Sequence, residues 1–219
     1  MHVFDIIGPI MIGPSSSHTA GAARIGRVAR RLLDEAPVRA RIALYGSFAA
    51  TARGHGTDRA LVAGLLDMGV DDARIRDSFA HAEAAGLSFE FCEATGLRDA
   101  HPNTAVIEVE GRSRKLTLRA ASVGGGAIRV DELDALPVSF TGSAHTLIIV
   151  HCDQPGMIAQ VSGLLAYQAV NIGQMQVFRQ QLGGTAVMVI EVDAVPSARS
   201  LSALNALPGI ERAVLLKKL

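Results

Sequence analysis

Tryptophan is absent from this 219-residue chain, and all aromatic residues together make up only 4% of it. So few flat rings leave no stacking platform for nucleic-acid bases. Charge of one sign is missing too, since 21 Lys and Arg are matched by 21 Asp and Glu. No overall field exists to draw nucleic acid or another long polyanion. The two cysteines, Cys92 and Cys152, form neither a disulfide framework nor a CxxC pair. No apolar run approaches the roughly 20 residues that cross a bilayer. Met1-His2-Val3-Phe4-Asp5 lacks the basic start and apolar core of a signal peptide. The expectation is a cytoplasmic protein that engages neither a membrane nor nucleic acid.

What is present is the material for a core. A hydrophobic content of 49% with 19% charged residues describes a globular chain, long enough for one large domain or two small ones. One stretch stands out, Ile12-Gly13-Pro14-Ser15-Ser16-Ser17-His18-Thr19-Ala20-Gly21-Ala22-Ala23. Gly13 and Pro14 force a turn, and Ile25, Val28, Ala29, Leu32 and Leu33 then recur at helical spacing. The serine run therefore falls in the N-cap region of a helix that Pro37 terminates. Free N–H groups beside hydroxyls and an imidazole suit a carboxylate or phosphate. A plain serine cap with a solvated histidine is the simpler account. One serine would suffice for that, and three with His18 favour a site.

Further along, Val38, Ala40, Ile42 and Leu44 alternate with polar or small residues, the period of a half-buried strand. An alanine-rich turn leads to Gly54-His55-Gly56-Thr57-Asp58, where Thr57 is the expected N-cap of a helix carrying Ala60, Leu61, Leu65 and Met68. His55 is thus a second histidine at a helix start. Val3 to Met11 reads as a strand or extended entry segment. Strands at Thr104 to Glu110 and Arg114 to Leu118 flank Gly111 as a hairpin, preceded by His101-Pro102-Asn103-Thr104. Ser122-Val123-Gly124-Gly125-Gly126 is either an anion-holding nest or a sharp reversal. Pro137 to Ala144 reads as a linker. From His145 the order is βαββαβ: strands at Thr146 to Val150, Asn171 to Phe178, Thr185 to Val192 and Ile210 to Leu216, with helices after Gly156 and at Ser200 to Leu207.

The second unit resembles an ACT domain, on Asp153-Gln154-Pro155-Gly156-Met157-Ile158 after the first strand and Asn171-Ile172 before the second. The resemblance implies self-association and an effector site, a small amino acid held by Asp153, Pro155, Gly156, Met157, Asn171 and Ile172. A purely structural ACT pair that binds nothing is the other reading. The first unit, on its four motifs Gly13–Thr19, Gly54–Asp58, His101–Thr104 and Ser122–Gly126, closely resembles the beta chain of bacterial iron–sulfur-dependent L-serine dehydratase. That domain is also similar to the allosteric substrate-binding domain of some phosphoglycerate dehydrogenases. The implied fold class is α+β: an allosteric-substrate-binding-like α/β domain over residues 1–138, a linker at 139–144, and a ferredoxin-like ACT domain over 145–219.

What the resemblance implies is deamination of L-serine to pyruvate and ammonia with a [4Fe–4S] cluster. A cluster needs three or four thiolates, so the resemblance places it on a cysteine-bearing alpha chain, with no metal held by this one. His18 and His55 are then the catalytic candidates, since imidazole titrates near neutral pH. Ser15, Ser16, Ser17 and Thr19 are the candidates for orienting the substrate. His2, His81, His145 and His151 sit in no motif and are expected as surface or capping residues, and the role of His101 stays open. Two rivals remain. One is a regulatory, non-catalytic amino-acid-sensing subunit of a partner enzyme. The other is a hydrolase using Ser17 and His18, disfavoured because adjacent side chains rarely face each other and no carboxylate flanks His18.

Overall fold

The computed structural model describes residues 10–219, so most of the expected entry segment Val3 to Met11, and His2, lie outside the described residues. The chain divides into two compact units, Met1–Asp134 and Ala135–Leu219.

In the first unit a π-helical turn at Ser16–Gly21 runs into α1 (Ala22–Leu33), whose Ile25, Val28, Ala29, Leu32 and Leu33 are buried at the predicted spacing. The helix ends at Asp34, which turns left-handed (φ 62°) while its N–H donates to Arg30 O. Then come β1 (Arg39–Leu44), α2 (Ser47–Thr51) and α3 (Thr57–Leu65). A 3-10 turn at Ala73–Asp77, α4 (Ser78–Ala84), β2 (Ser88–Glu93), β3 (Thr104–Glu110), β4 (Lys115–Gly124) and β5 (Ala127–Leu133) complete the unit. Within it the strand order is β2-β1-β3-β4-β5. β1 runs parallel to β2 and antiparallel to β3, and the chain between β1 and β2 provides the crossover with α2, α3 and α4.

Period-two alternation gives the sheet two unlike faces. Ala40, Ile42, Leu44, Ala105, Ile107 and Val109 are buried on one face, and α1 packs on β3 and β4. The opposite face is laced by ion pairs, including Arg41–Glu108 at 3.1 Å, Lys115–Glu110 at 2.8 Å and Arg119–Glu132 at 3.1 Å. α1 crosses α3 where both are glycine. A Cβ on Gly26 would run into the Leu61 carbonyl, and one on Gly64 into the Ala23 carbonyl.

Two local expectations need correction. Thr57 is not the cap of α3. Gly56, left-handed at φ 69°, takes that position, and the Thr57 N–H continues the preceding turn by donating to Ala52 O at 2.9 Å. The alanine-rich stretch after β1 is a short helix rather than a turn.

The second unit opens with β6 (Leu136–Phe140), where Leu136, Val138 and Phe140 are buried and Pro137 and Ser139 exposed. That alternation makes a strand of the first half of the expected linker. β7 (His145–Cys152), α5 (Met157–Tyr167), β8 (Ile172–Arg179), β9 (Thr185–Val192), α6 (Ala198–Asn205) and β10 (Ile210–Leu216) follow. These four last strands form an antiparallel sheet in the order β10-β7-β9-β8, the arrangement of a ferredoxin-like fold. Its core joins Leu147, Ile149, Met188 and Ile190 from the sheet to Met157, Val161, Leu165 and Leu204 from the helices. Burying each such side chain contributes about 1.5–3 kcal/mol. The protein is therefore α+β.

Candidate functional site

The four motifs of the first unit, up to 113 positions apart in the chain, meet around one turn. Ser15 is the N-cap of the π-helical turn, its Oγ accepting from the His18 N–H at 3.2 Å. One of the three serines therefore does act as the predicted cap. The same Oγ lies 3.3 Å from His18 Nδ1, and Ser47 Oγ lies 3.0 Å from His18 Nε2. The imidazole is thus held at both nitrogens by hydroxyls from two separate elements. Its ring meets His55 edge-on, with centroids 4.9 Å apart, and Phe48 at 5.5 Å. Burial, and then the neighbouring His55, hold the His18 imidazole below its ordinary pKa. It is consequently neutral at pH 7, able to take up a proton.

Thr19 joins the first two motifs, its hydroxyl donating to His55 O at 3.1 Å. Gly13 approaches Thr19 so closely that any Cβ there would strike the threonine side chain. The third motif is tied in twice. Phe48 N–H donates to Pro102 O at 3.3 Å, and Ser122 N–H to Asn103 O at 3.0 Å. Its His101 closes its own loop, Nδ1 accepting from the Asn103 N–H at 3.1 Å. In the fourth motif Gly124, Gly125 and Gly126 all take positive φ in the reversal between β4 and β5. Arg24 Nη1 donates to Gly126 O at 2.7 Å, and Ser122 packs directly on Gly21. Ser16 and Ser17 are half-buried within the π-helical turn. His55 is exposed on its glycine-flanked loop.

Ser47 and Phe48 went unassigned in the sequence. The signal available was Gly46, with φ at 58° and a backbone pressed against Pro102, which turns the end of β1 into the start of α2. Of the histidines outside the motifs, His81 is exposed and His145 is half-buried, its Nδ1 accepting from the Lys218 N–H at 3.2 Å. His151 departs from expectation. It is 2% exposed, because its place in β7 turns it inward, and its Nδ1 pairs with Cys152 O at 2.8 Å.

In the second unit the effector candidates do not form one cluster. Asp153, beyond the end of β7, accepts from Arg179 Nη1 at 2.9 Å and Gly183 N at 3.1 Å. Those bonds, the Gly183 N–H first, hold its carboxyl below the ordinary range. Gly156 caps α5 with a left-handed backbone and no side-chain bond; Pro155 is exposed and Met157 buried. Asn171 and Ile172 lie at the other end of the sheet, since Ile172 pairs with Val192, and Val192 with His145. There Asn171 donates to Asp193 Oδ2 at 2.6 Å.

The donor set does not fit an iron–sulfur cluster. Cys92 on β2 and Cys152 on β7 belong to different units. Among the described residues no group of three or more His, Cys, Asp or Glu could hold a metal ion. Among them, too, no helix is long and apolar enough to cross a membrane.

Residues 2–133 match the family described as serine dehydratase beta chain, and residues 147–212 match the AHAS small subunit-like ACT domain. A Bacillus subtilis (strain 168) protein named probable L-serine dehydratase, beta chain, is 47% identical over 208 residues, covering 95% of this chain and 94% of that one. The L-serine dehydratase beta chain of Peptoniphilus asaccharolyticus is 37% identical, covering 95% of this chain and 93% of that one. A D-3-phosphoglycerate dehydrogenase of Methanocaldococcus jannaschii is 26% identical over 190 residues, covering 87% of this chain and 36% of that protein.

Proposed function

The chain belongs to the serine dehydratase beta-chain family and is a subunit of an L-serine ammonia-lyase; from that premise we propose that His18 and His55 complete the substrate pocket on an alpha chain. The observation that carries this reading is the His18 ring, held at both nitrogens by Ser15 and Ser47 and set edge-on to His55. A surface cap needs no such fixation. Held neutral by burial and by His55, His18 suits the acceptance of the α-proton of L-serine, and exposed His55 suits its relay or a polar contact. Ser15, Ser16, Ser17 and Thr19 orient the substrate carboxylate beside this pair. Loss of the α-hydrogen and the β-hydroxyl leaves an enamine that hydrolyses to pyruvate and ammonia. This chain contributes the proton-transfer and positioning half of that chemistry.

The [4Fe–4S] cluster belongs, on this reading, to the cysteine-bearing alpha chain, because this chain offers one thiol per unit. The ACT-like unit pairs with a second copy of itself. Its effector site, for a small amino acid, then forms between copies from Asp153, Pro155, Gly156 and Met157 of one and Asn171 and Ile172 of the other. The separation of these groups along a single sheet supports that arrangement. We place the protein in the cytoplasm, in keeping with its free cysteines.

Anaerobic reconstitution tests the proposal. This chain alone should form no pyruvate from L-serine, and adding the alpha chain should restore turnover. Turnover by this chain alone would overturn it. A sensing subunit without catalytic residues is the competing reading, favoured by the ACT-like unit. It predicts that His18 and His55 variants retain full turnover.

A further inference from the structure

Beside the His55 loop the first unit has a cationic hollow that shares Thr19 and His55 with the candidate catalytic cluster but extends beyond it to three arginines. Its volume is about 330 Å³, and Arg53, Arg59 and Arg76 stand around it with Thr19, His55 and Gly56. The three arginines come from three elements: the turn after α2, the first turn of α3 and the 3-10 turn. No Asp or Glu lines the hollow. Among the described residues none of the three guanidinium groups takes part in an ion pair, although Arg27, Arg31, Arg41, Arg74, Arg114 and Arg129 each have one.

In a chain of zero formal net charge, three arginines around one hollow are a local excess. Arg59 is also on the unfavourable end of α3, where the helix dipole repels a cation. The Asp58 carboxylate beside it accepts from the Arg59 backbone N–H at 2.8 Å. The cap residue, Gly56, brings no side-chain oxygen to the helix start, and it lies in the wall of the hollow. An anion in the hollow would offset the three guanidinium charges. Guanidinium forks match carboxylate and phosphate oxygens two at a time. A zwitterionic amino acid fits poorly, since its ammonium would face three cations and no carboxylate.

We propose that this hollow binds a small dianion, a dicarboxylate or a phosphate, through Arg53, Arg59 and Arg76. Thr19 and His55 belong both to its wall and to the candidate catalytic cluster. A bound dianion therefore competes with substrate at that edge. The competition rests on the dehydratase reading; the binding does not.

Calorimetric titration of the purified full-length chain with succinate, with inorganic phosphate and with L-serine, at constant ionic strength, tests the proposal. At least one dianion should bind saturably at one site per chain, about tenfold or more tighter than L-serine. Arg59→Gln and Arg76→Gln should each weaken that dianion about tenfold, with an unchanged thermal midpoint because both side chains are exposed. Which of succinate and phosphate wins separates the two chemical sources. Absence of saturable dianion binding, equal binding of L-serine, or unaltered affinity in the double variant would each overturn the proposal. So would a chain that binds no dianion but loses the alpha chain on Arg59→Gln and Arg76→Gln, since the arginines would then serve the partner. None of these results bears on the turnover of His18 and His55 variants, so the two readings fail separately.

Discussion

The His18 ring meets the His55 ring edge-on, centroids 4.9 Å apart and planes at 69°. Burial is the larger reason that His18 resists protonation, and His55 is the second. His55→Asn should therefore raise the His18 pKa toward the ordinary value near 6.5 while leaving it below. Ring-proton NMR titration reads this directly. A group with a depressed folded-state pKa of this kind stabilises the fold above the unfolded pKa, and that contribution fades as pH falls through the folded one. The basis for protecting His18 thus weakens below about pH 6.5. An unmoved His18 titration in His55→Asn would show that the rings do not interact.

Removing either ring should damage catalysis in the reconstituted enzyme. If a proton is transferred through it, His18→Ala lowers the turnover number by roughly 10²–10⁴-fold. Loss of a binding contact instead raises KM with little change in kcat. Co-purification must show that each variant still holds the alpha chain. Variants of His18 and His55 that hold it and turn over normally transfer the chain to the sensing reading.

Ser47 Oγ lies 3.0 Å from His18 Nε2, and on the proposed reading it positions that ring. Ser47→Ala removes one hydrogen bond of about 0.5–1.5 kcal/mol, so kcat should fall roughly two- to tenfold. Ser47→Thr keeps the hydroxyl and should restore most of the loss. Equal defects in both variants would point to the packing of α2 itself instead.

The crossing of α1 and α3 admits no side chain at its centre. Gly26→Ala and Gly64→Ala should each cost about 1–3 kcal/mol or more, read as a lowered thermal midpoint. Gly163→Ala in α5 is the contrast, because its Cβ would meet nothing within 4 Å. Trading glycine for alanine in an open helical position should stabilise by about 0.5–1 kcal/mol.

If the ACT-like unit pairs with a second copy as proposed, the full chain should run as a dimer in light scattering and residues 1–134 as a monomer. A dimer that persists in the shorter chain would move the contact to the first unit. Asp153→Asn should leave the dimer intact but loosen the β8–β9 turn that Arg179 and Gly183 tie to it. Since Asp153 titrates below the ordinary carboxylate range, its contribution is present above the unfolded pKa and is lost as pH falls through the folded one. Wild type and variant should therefore converge in stability in acid.

Much of this protein was legible in local pattern. The spacing of Ile25, Val28, Leu32 and Leu33 determined α1, and the alternation through Ala40, Ile42 and Leu44 determined β1. Each pattern records a single face turned to a core, which needs no knowledge of the partner surface. The four motifs were visible as strings, as was their likeness to a known family. What the strings could not hold was their meeting. Thr19 reaches the His55 carbonyl across 36 positions, and Ser47 reaches His18 across 29. Ser47 had no motif of its own to mark it, and its role exists only because Gly46 bends the chain beneath Pro102. Likewise Gly56, not Thr57, caps α3, because a hydrogen bond to Ala52 draws Thr57 into the helix. The three uncompensated arginines are unremarkable at positions 53, 59 and 76 until three elements converge on one hollow. Hydrophobic period is a property of neighbours in sequence, and the chain itself determined it. A site is a property of neighbours in space, and only the tertiary fold decided which hydroxyls, rings and charges those are.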